Sequence, residues 1–299
     1  MDNTKELRHL GICTGYGGIE RGIELSGQKL RTLAHVEIEA FAIKNLVDKM
    51  ESWKLDTTPI WTDIKTLPMG PFRGVVDLLT GGYPCQPFSH AGRRLGKDDG
   101  RHLWPWICRI IDGIMPRMCF FENVEGHITL GLRQVLADLE SRGYKTTWGL
   151  FSAAEVGAPH QRKRLFILAD SNRKHWGAHS KGRHKNTKAR PTGKTLADTN
   201  SKGLEGRPGF KTPRIAGFQQ TADGGTSWPS RPGERQYNWE EPITINDKLN
   251  PDWVEQLMGL PVGWTGKGSR IDRLRLLGNG VVPQTACKAW TILSERIGI

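Results

Sequence analysis

The alternation of short apolar runs with helical stretches in the first third of the chain constrains its fold more than any other feature. Leu10-Gly11-Ile12 runs into Cys13-Thr14-Gly15-Tyr16-Gly17-Gly18-Ile19-Glu20-Arg21-Gly22, which reads as a strand, a glycine loop and a helix. Leu33-Ala34-His35-Val36-Glu37 predicts a second strand ending in a carboxylate, followed by a helix from Ala40 to Met50. Ile60-Trp61-Thr62-Asp63-Ile64 again sets an acid just past an apolar pair, and Val75-Val76-Asp77-Leu78-Leu79-Thr80 supplies another strand. Such units in series build an open parallel sheet whose loops gather at one edge, where ligands bind.

Each loop at that edge carries residues suited to chemistry. Closely spaced glycines between strand and helix let backbone approach a ligand, and the N–H groups of the helix start suit its polar or anionic part. Glu37, roughly 20 residues further on, is placed as an acid that hydrogen-bonds ribose hydroxyls. The competing reading makes Glu37 and Glu39 solvated residues at a helix start. After the strand through Thr80 comes Gly81-Gly82-Tyr83-Pro84-Cys85-Gln86-Pro87-Phe88-Ser89, a cysteine framed by glycines and prolines in a fixed turn. An isolated cysteine is more often a buried structural one. Its neighbours favour a reactive thiol.

Beyond it, the stretch from Ser89 to Arg101 is polar, glycine-spaced and basic, and reads as a loop able to close over a nucleic acid or as a solvated surface. A helix is predicted from Leu103 to Met115. Met118-Cys119-Phe120-Phe121 then forms a strand leading into Glu122-Asn123-Val124-Glu125-Gly126. A carboxylate directly after four apolar residues has its ionisation penalised, which moves it toward the working range of a general acid. Glu125 reads as surface. A helix over Arg133 to Arg142 and a strand over Tyr144 to Phe151 follow. Gly157-Ala158-Pro159-His160-Gln161-Arg162-Lys163-Arg164 then precedes the strand Leu165-Phe166-Ile167-Leu168-Ala169; taken alone it reads as an ordinary polar flank, but arginine's fixed fork also suits a carboxylate, a phosphate or a base carbonyl.

Composition changes at Asp170. From there to Asn250 apolar periodicity fades, and Lys and Arg outnumber Asp and Glu nearly two to one, which concentrates much of the net charge of +12 there. This predicts a nucleic-acid-facing segment. Its aromatics (Phe210, Phe218, Trp228, Tyr237, Trp239) argue against full disorder. Leu168-Ala169-Asp170-Ser171-Asn172 is echoed at Leu196-Ala197-Asp198-Thr199-Asn200, too few copies for a repeat architecture. A short helix is predicted from Trp253 to Leu260. Leu274 to Pro283 encloses Gly278-Asn279-Gly280, and an apolar helix runs from Gln284 to Ile297. The five cysteines (Cys13, Cys85, Cys108, Cys119, Cys287) are scattered without a C-x-x-C pair, so neither a disulfide framework nor a metal site is expected, and a reducing cytoplasm is. No membrane helix or signal peptide is read in the sequence.

Gly15-Tyr16-Gly17-Gly18, Pro84-Cys85-Gln86, Glu122-Asn123-Val124, Gln161-Arg162-Lys163-Arg164 and Gly278-Asn279-Gly280-Val281-Val282 occur in that order. Together they resemble the cytosine-5 DNA methyltransferases over nearly the whole chain. The resemblance implies an α/β fold with a doubly wound, mostly parallel sheet, Rossmann-like, and a smaller, irregular, basic target-recognition domain. It divides the chain into a catalytic domain (1–169), a recognition domain (170–250) and a return segment (251–299) packing onto the first. Cys85 would attack carbon 6 of a flipped cytosine, Glu122 would protonate the ring nitrogen, Arg164 would hold the base carbonyl and Arg162 would orient the site. S-adenosylmethionine, leaving as S-adenosylhomocysteine, would lie among Cys13, Gly15, Tyr16, Gly17, Gly18, Glu37, Ile38, Asp63, Ile64, Pro84, Leu103, Asn279 and Val281. Gln86, Ser89, Arg93, Arg94 and Arg101 would contact double-stranded DNA, by a monomeric cytoplasmic enzyme without a metal. The family usually has an aromatic at Cys13, glycine at Thr62 and a glutamine at His160. An RNA (tRNA) cytosine-5 methyltransferase and a catalytically silent DNA-binding module of this fold are the competing readings.

Overall fold

The structure is a computed structural model and describes residues 6–52, 54–84, 103–171, 228–231 and 233–299. Cys85, Gln86, Ser89, Arg93, Arg94 and Arg101 lie outside the described residues, as does most of the basic segment, 172–227.

A 7-stranded sheet runs in the order β3-β2-β1-β4-β5-β7-β6. Its strands are β1 (Leu7–Ile12), β2 (Leu30–Val36), β3 (Ile60–Trp61), β4 (Leu78–Gly82), β5 (Met118–Val124), β6 (Lys145–Phe151) and β7 (Arg164–Asp170). All pairings among β1 to β5 are parallel, whereas β7 runs antiparallel to both its neighbours. Helices cover both faces, which makes the fold a doubly wound Rossmann-like α/β sheet. That cover explains the unbroken apolar run of β5, since a strand buried on both sides needs no polar alternation. Cys119 and Phe121 join the core under α3 (Trp104–Ile114) and α5 (Leu132–Ser141). Met118 and Phe120 face α1 (Gly18–Leu25) and α8 (Pro283–Ile297), where Phe120 stacks on Phe166 at 5.4 Å and meets Trp290 edge-on at 5.3 Å. Each such buried ring contributes about 1.5–3 kcal/mol over leaving it in water.

The last helix thereby lies beside the first. A Cβ on Gly22 would come within 2.5 Å of the Ala286 Cβ, so only glycine allows α1 and α8 to approach this closely. A third cluster gathers Tyr16, Ala42 of α2 (Ala40–Glu51), Met258 after α6 (Pro251–Leu257), Leu276 and Leu277 of α7 (Arg270–Asn279), and Trp228. It packs the glycine loop against the closing part of the chain.

Several elements differ from the sequence expectation. Val75–Asp77 precede β4 and are not part of it; Asp77 instead takes the Arg8 guanidinium, with bonds of 2.8 and 3.0 Å. Helix α7 was not predicted, because its charged residues break the apolar pattern, but Ser269 caps it by accepting from the Asp272 N–H at 3.1 Å. A short helix α4 (His127–Leu130) and a hairpin of β8 (Thr244–Ile245) and β9 (Lys248–Leu249) are likewise additions. The hairpin turn Asn246-Asp247 has φ of 49° and 58°, the left-handed pair that tight hairpins need. Among the described residues no helix is long and apolar enough to cross a membrane.

Candidate active site

The parallel strands deliver their ends to one edge. There the glycine loop follows β1, with Gly15 at φ 57° and Gly17 at φ 79°, conformations that glycine adopts without strain. The Gly15 N–H donates to Glu37 Oε2 at 2.8 Å, and the N–H groups of Ile38 and Glu39 donate to its Oε1 at 2.8 and 3.0 Å. Glu37 is buried, so the solvated reading fails for it, whereas Glu39 is exposed and pairs with Arg275 at 2.8 Å. Bonds to backbone leave a carboxylate further lone pairs to offer. Beside it Ile38 stands 73% exposed, an apolar face next to an acid. Asp63 caps a 3-10 turn by accepting from the Lys65 N–H at 2.9 Å, Ile64 is buried behind it, and Leu103 precedes α3.

Cys13 is half-buried at φ 50°, and burial, reinforced by Glu37, pushes its thiol up to about 12. It stays protonated at neutral pH and is no nucleophile.

The register pairs Gly82, the last residue of β4, with Glu122 on β5. The chain leaves β4 through Tyr83, whose carbonyl accepts the Asn123 amide at 3.1 Å and whose hydroxyl meets His127 at 3.2 Å. Pro84 is exposed, and Cys85 follows it. Glu122 is buried, and burial raises its carboxyl to about 7 although Arg164 and Arg162 both pull it down. The Arg164 Nε lies 2.9 Å from Glu122 Oε1. An acid half-protonated at neutral pH and oriented by a guanidinium can give a proton to a ring nitrogen or hold one. Glu125, by contrast, is exposed, near Lys163 at 3.6 Å.

The neighbouring arginine does something different. Arg162 sits at φ 25° and its Nη2 donates to the carbonyls of Gly278 at 2.7 Å and of Gly280, tying its loop to the last glycine segment. The His160 Nε2 lies 2.8 Å from the Leu257 carbonyl. Asn279 ends α7 exposed, whereas Val281 is buried and its carbonyl accepts the Tyr16 hydroxyl at 2.6 Å. Tyr16 is itself buried, so what it offers the loop's open side is backbone.

A sequence model of the family described as C-5 cytosine-specific DNA methylase matches residues 7–222. The chain belongs to that family. It is 29% identical to the type II methyltransferase M.NaeI of Lentzea aerocolonigenes, over 94% of this chain and 73% of that one. To M.NgoMIV of Neisseria gonorrhoeae it is 34% identical over 56% of this chain and 53% of that one, so the match spans about half of that relative. Among solved structures, Dnmt2 of S. pombe superposes with a TM-score of 0.61 at 18% identity, covering 98% of this chain and 100% of that one. The Entamoeba histolytica methyltransferase EhMeth gives 0.61 at 14%, covering 98% and 99%. At such identities these likenesses show the fold.

Two further buried polar residues near this edge were given no role by the sequence reading. The Asn123 side chain holds the Tyr83 carbonyl. Behind the glycine loop Glu20 is buried, accepting from the Thr80 hydroxyl at 2.9 Å, while Thr80 meets His9 Nε2 at 2.7 Å. Glu20 Oε2 has no hydrogen-bond partner among the described residues, and burial raises this carboxyl from 4.5 to about 7. The folded methyltransferase therefore keeps a proton that the unfolded chain has already lost between those values, and stability falls as pH rises through that window. Glu20→Gln removes this loss. Its melting temperature relative to the native protein is expected to rise between about pH 5 and about pH 8, and thermal melts showing a flat difference would contradict the assignment.

Proposed function

We propose that the chain methylates carbon 5 of a cytosine flipped out of duplex DNA, using S-adenosylmethionine and a covalent Cys85 adduct. The observation that supports this most is Glu122: a buried acid raised to about 7, braced by Arg164, beside the strand end that leads into Pro84-Cys85. The glycine loop suits the methyl donor chemically, since backbone N–H groups, the Glu37 carboxylate and the exposed Ile38 face match a polar ribose, an amino-acid tail and a flat base. Asp63, Asn279 and the backbone around Val281 would complete its surroundings, with Cys13, Ile64, Pro84 and Leu103 at the margins. When bound, S-adenosylmethionine supplies an electrophilic methyl group.

Carbon 5 of cytosine is a poor nucleophile. Attack of the Cys85 thiolate on carbon 6 forms a carbon–sulfur bond and pushes the ring electrons toward carbon 5 and the ring nitrogen, where Glu122 delivers its proton. Arg164 holds both Glu122 and the base carbonyl, and Arg162 keeps the arginine loop docked on the closing glycine turn. After methylation a base takes the carbon 5 proton, the double bond reforms, and the sulfur leaves. A stacked duplex hides these atoms, so the base must be flipped out. The segment 170–250 serves as recognition domain and grips flanking phosphates, with Gln86, Ser89, Arg93, Arg94 and Arg101 closing around the base. In its described part Tyr237 and Trp239 stack at 5.8 Å and Tyr237 is 55% exposed. The enzyme works as a cytoplasmic monomer on this reading.

Purified protein given radiolabelled S-adenosylmethionine and competing duplex DNA and tRNA is expected to label the DNA, and bisulfite sequencing then reads its target. Label confined to tRNA would transfer the reading to RNA. Absence of a covalent complex with fluorocytosine DNA plus cofactor would favour the silent module.

A further inference from the structure

Helix α2 buries Ala42, Asn45, Leu46, Lys49 and Met50, so Lys49 lies on the stripe where an apolar residue belongs. It is 3% exposed. Its Nζ donates to the Tyr16 carbonyl at 2.7 Å and stands 4.1 Å from the centre of the Trp264 ring. The same carbonyl accepts the Trp264 indole N–H at 3.2 Å, and the Asn45 amide in turn holds the Trp264 carbonyl at 3.0 Å. Taking an ammonium out of water is costly, and here burial brings it down to about 7 despite the opposing influence of Glu255 and Glu20. A methionine would fill this space as well. What the lysine adds is a donor aimed at one carbonyl and, when protonated, a charge over an indole face.

That carbonyl belongs to the residue between two left-handed glycines, Gly15 and Gly17, in the loop that follows β1. Its side chain is pinned separately, through the hydroxyl on Val281. We propose that Lys49 is a positioning residue for the methyl donor: by clasping the Tyr16 carbonyl against Trp264 it fixes the glycine loop in its donor-binding shape. This rests on the reading that the loop binds S-adenosylmethionine.

The test uses the full chain and titration calorimetry with S-adenosylhomocysteine, alongside steady-state kinetics on duplex DNA. Lys49→Met is expected to raise Kd and the cofactor KM about tenfold, while kcat at saturating cofactor and the KM for DNA move less than about threefold. Trp264→Phe, which keeps the aromatic face and loses the N–H, should raise Kd about threefold. Native Kd in Lys49→Met, or a fall in kcat with the cofactor KM unchanged, would overturn the clasp. Should Lys49→Met fail to fold by circular dichroism, Trp264→Phe decides, and an unchanged Kd there overturns it. If the native chain itself binds no S-adenosylhomocysteine, the donor assignment falls and the clasp with it.

Discussion

Cys85→Ser is expected to lower methyl transfer by more than about 10⁴-fold, as loss of a covalent nucleophile does elsewhere, while S-adenosylhomocysteine binds within about threefold of native affinity. A hydroxyl at this position ionises far less readily than a thiol, and the attack on carbon 6 needs the anion. Tyr83, two positions before Cys85, is held where the chain leaves β4 beside Glu122, by the Asn123 amide on its carbonyl, so the variant should keep this exit. Full turnover by the serine variant, or a covalent complex between it and fluorocytosine DNA, would end the covalent mechanism.

Glu122→Gln carries the second large effect, a loss of about 10²–10⁴-fold for removing a general acid. Its signature is in the pH profile. The native acid is raised to about 7 by burial, so its protonated, donating form declines as pH climbs through that value. An attacking thiol ionises further as pH rises, and the product of the two gives a bell-shaped kcat/KM. Glutamine cannot titrate, so the residual activity of the variant should keep rising on the alkaline side. A native alkaline limb that persists in Glu122→Gln would assign it to another group.

Much of the sheet was legible because its signal is local. Strands buried in the middle of the sheet read as apolar runs, and the helices between them show their stripes, so β1, β2, β5, β7, α2, α3, α5 and α8 all fell within a few residues of expectation. Glu122 was legible for the same reason: four apolar residues before a carboxylate announce a penalty on its charge. What sequence spacing cannot separate is Arg162 from Arg164. Both precede one strand, yet Arg164 is already in β7, opposite Val124, and reaches Glu122, while Arg162 turns through a left-handed residue toward Gly278 and Gly280. Lys49 had a local signal that went unread, a cation at a stripe position, but its partner Trp264 lies more than two hundred residues away. Long-range partners are set by how layers stack, which no window of sequence contains.

The Tyr16 hydroxyl reaches across to the Val281 carbonyl, a separation of 265 positions, and its own carbonyl waits for Trp264. During synthesis the glycine turn is among the first parts to leave the ribosome, yet the latches that set it are among the last. A nascent or prematurely terminated chain ending before these latches therefore leaves its glycine loop unlatched, however well its early strands have folded. On the proposed reading, such a chain would be unable to hold S-adenosylmethionine firmly.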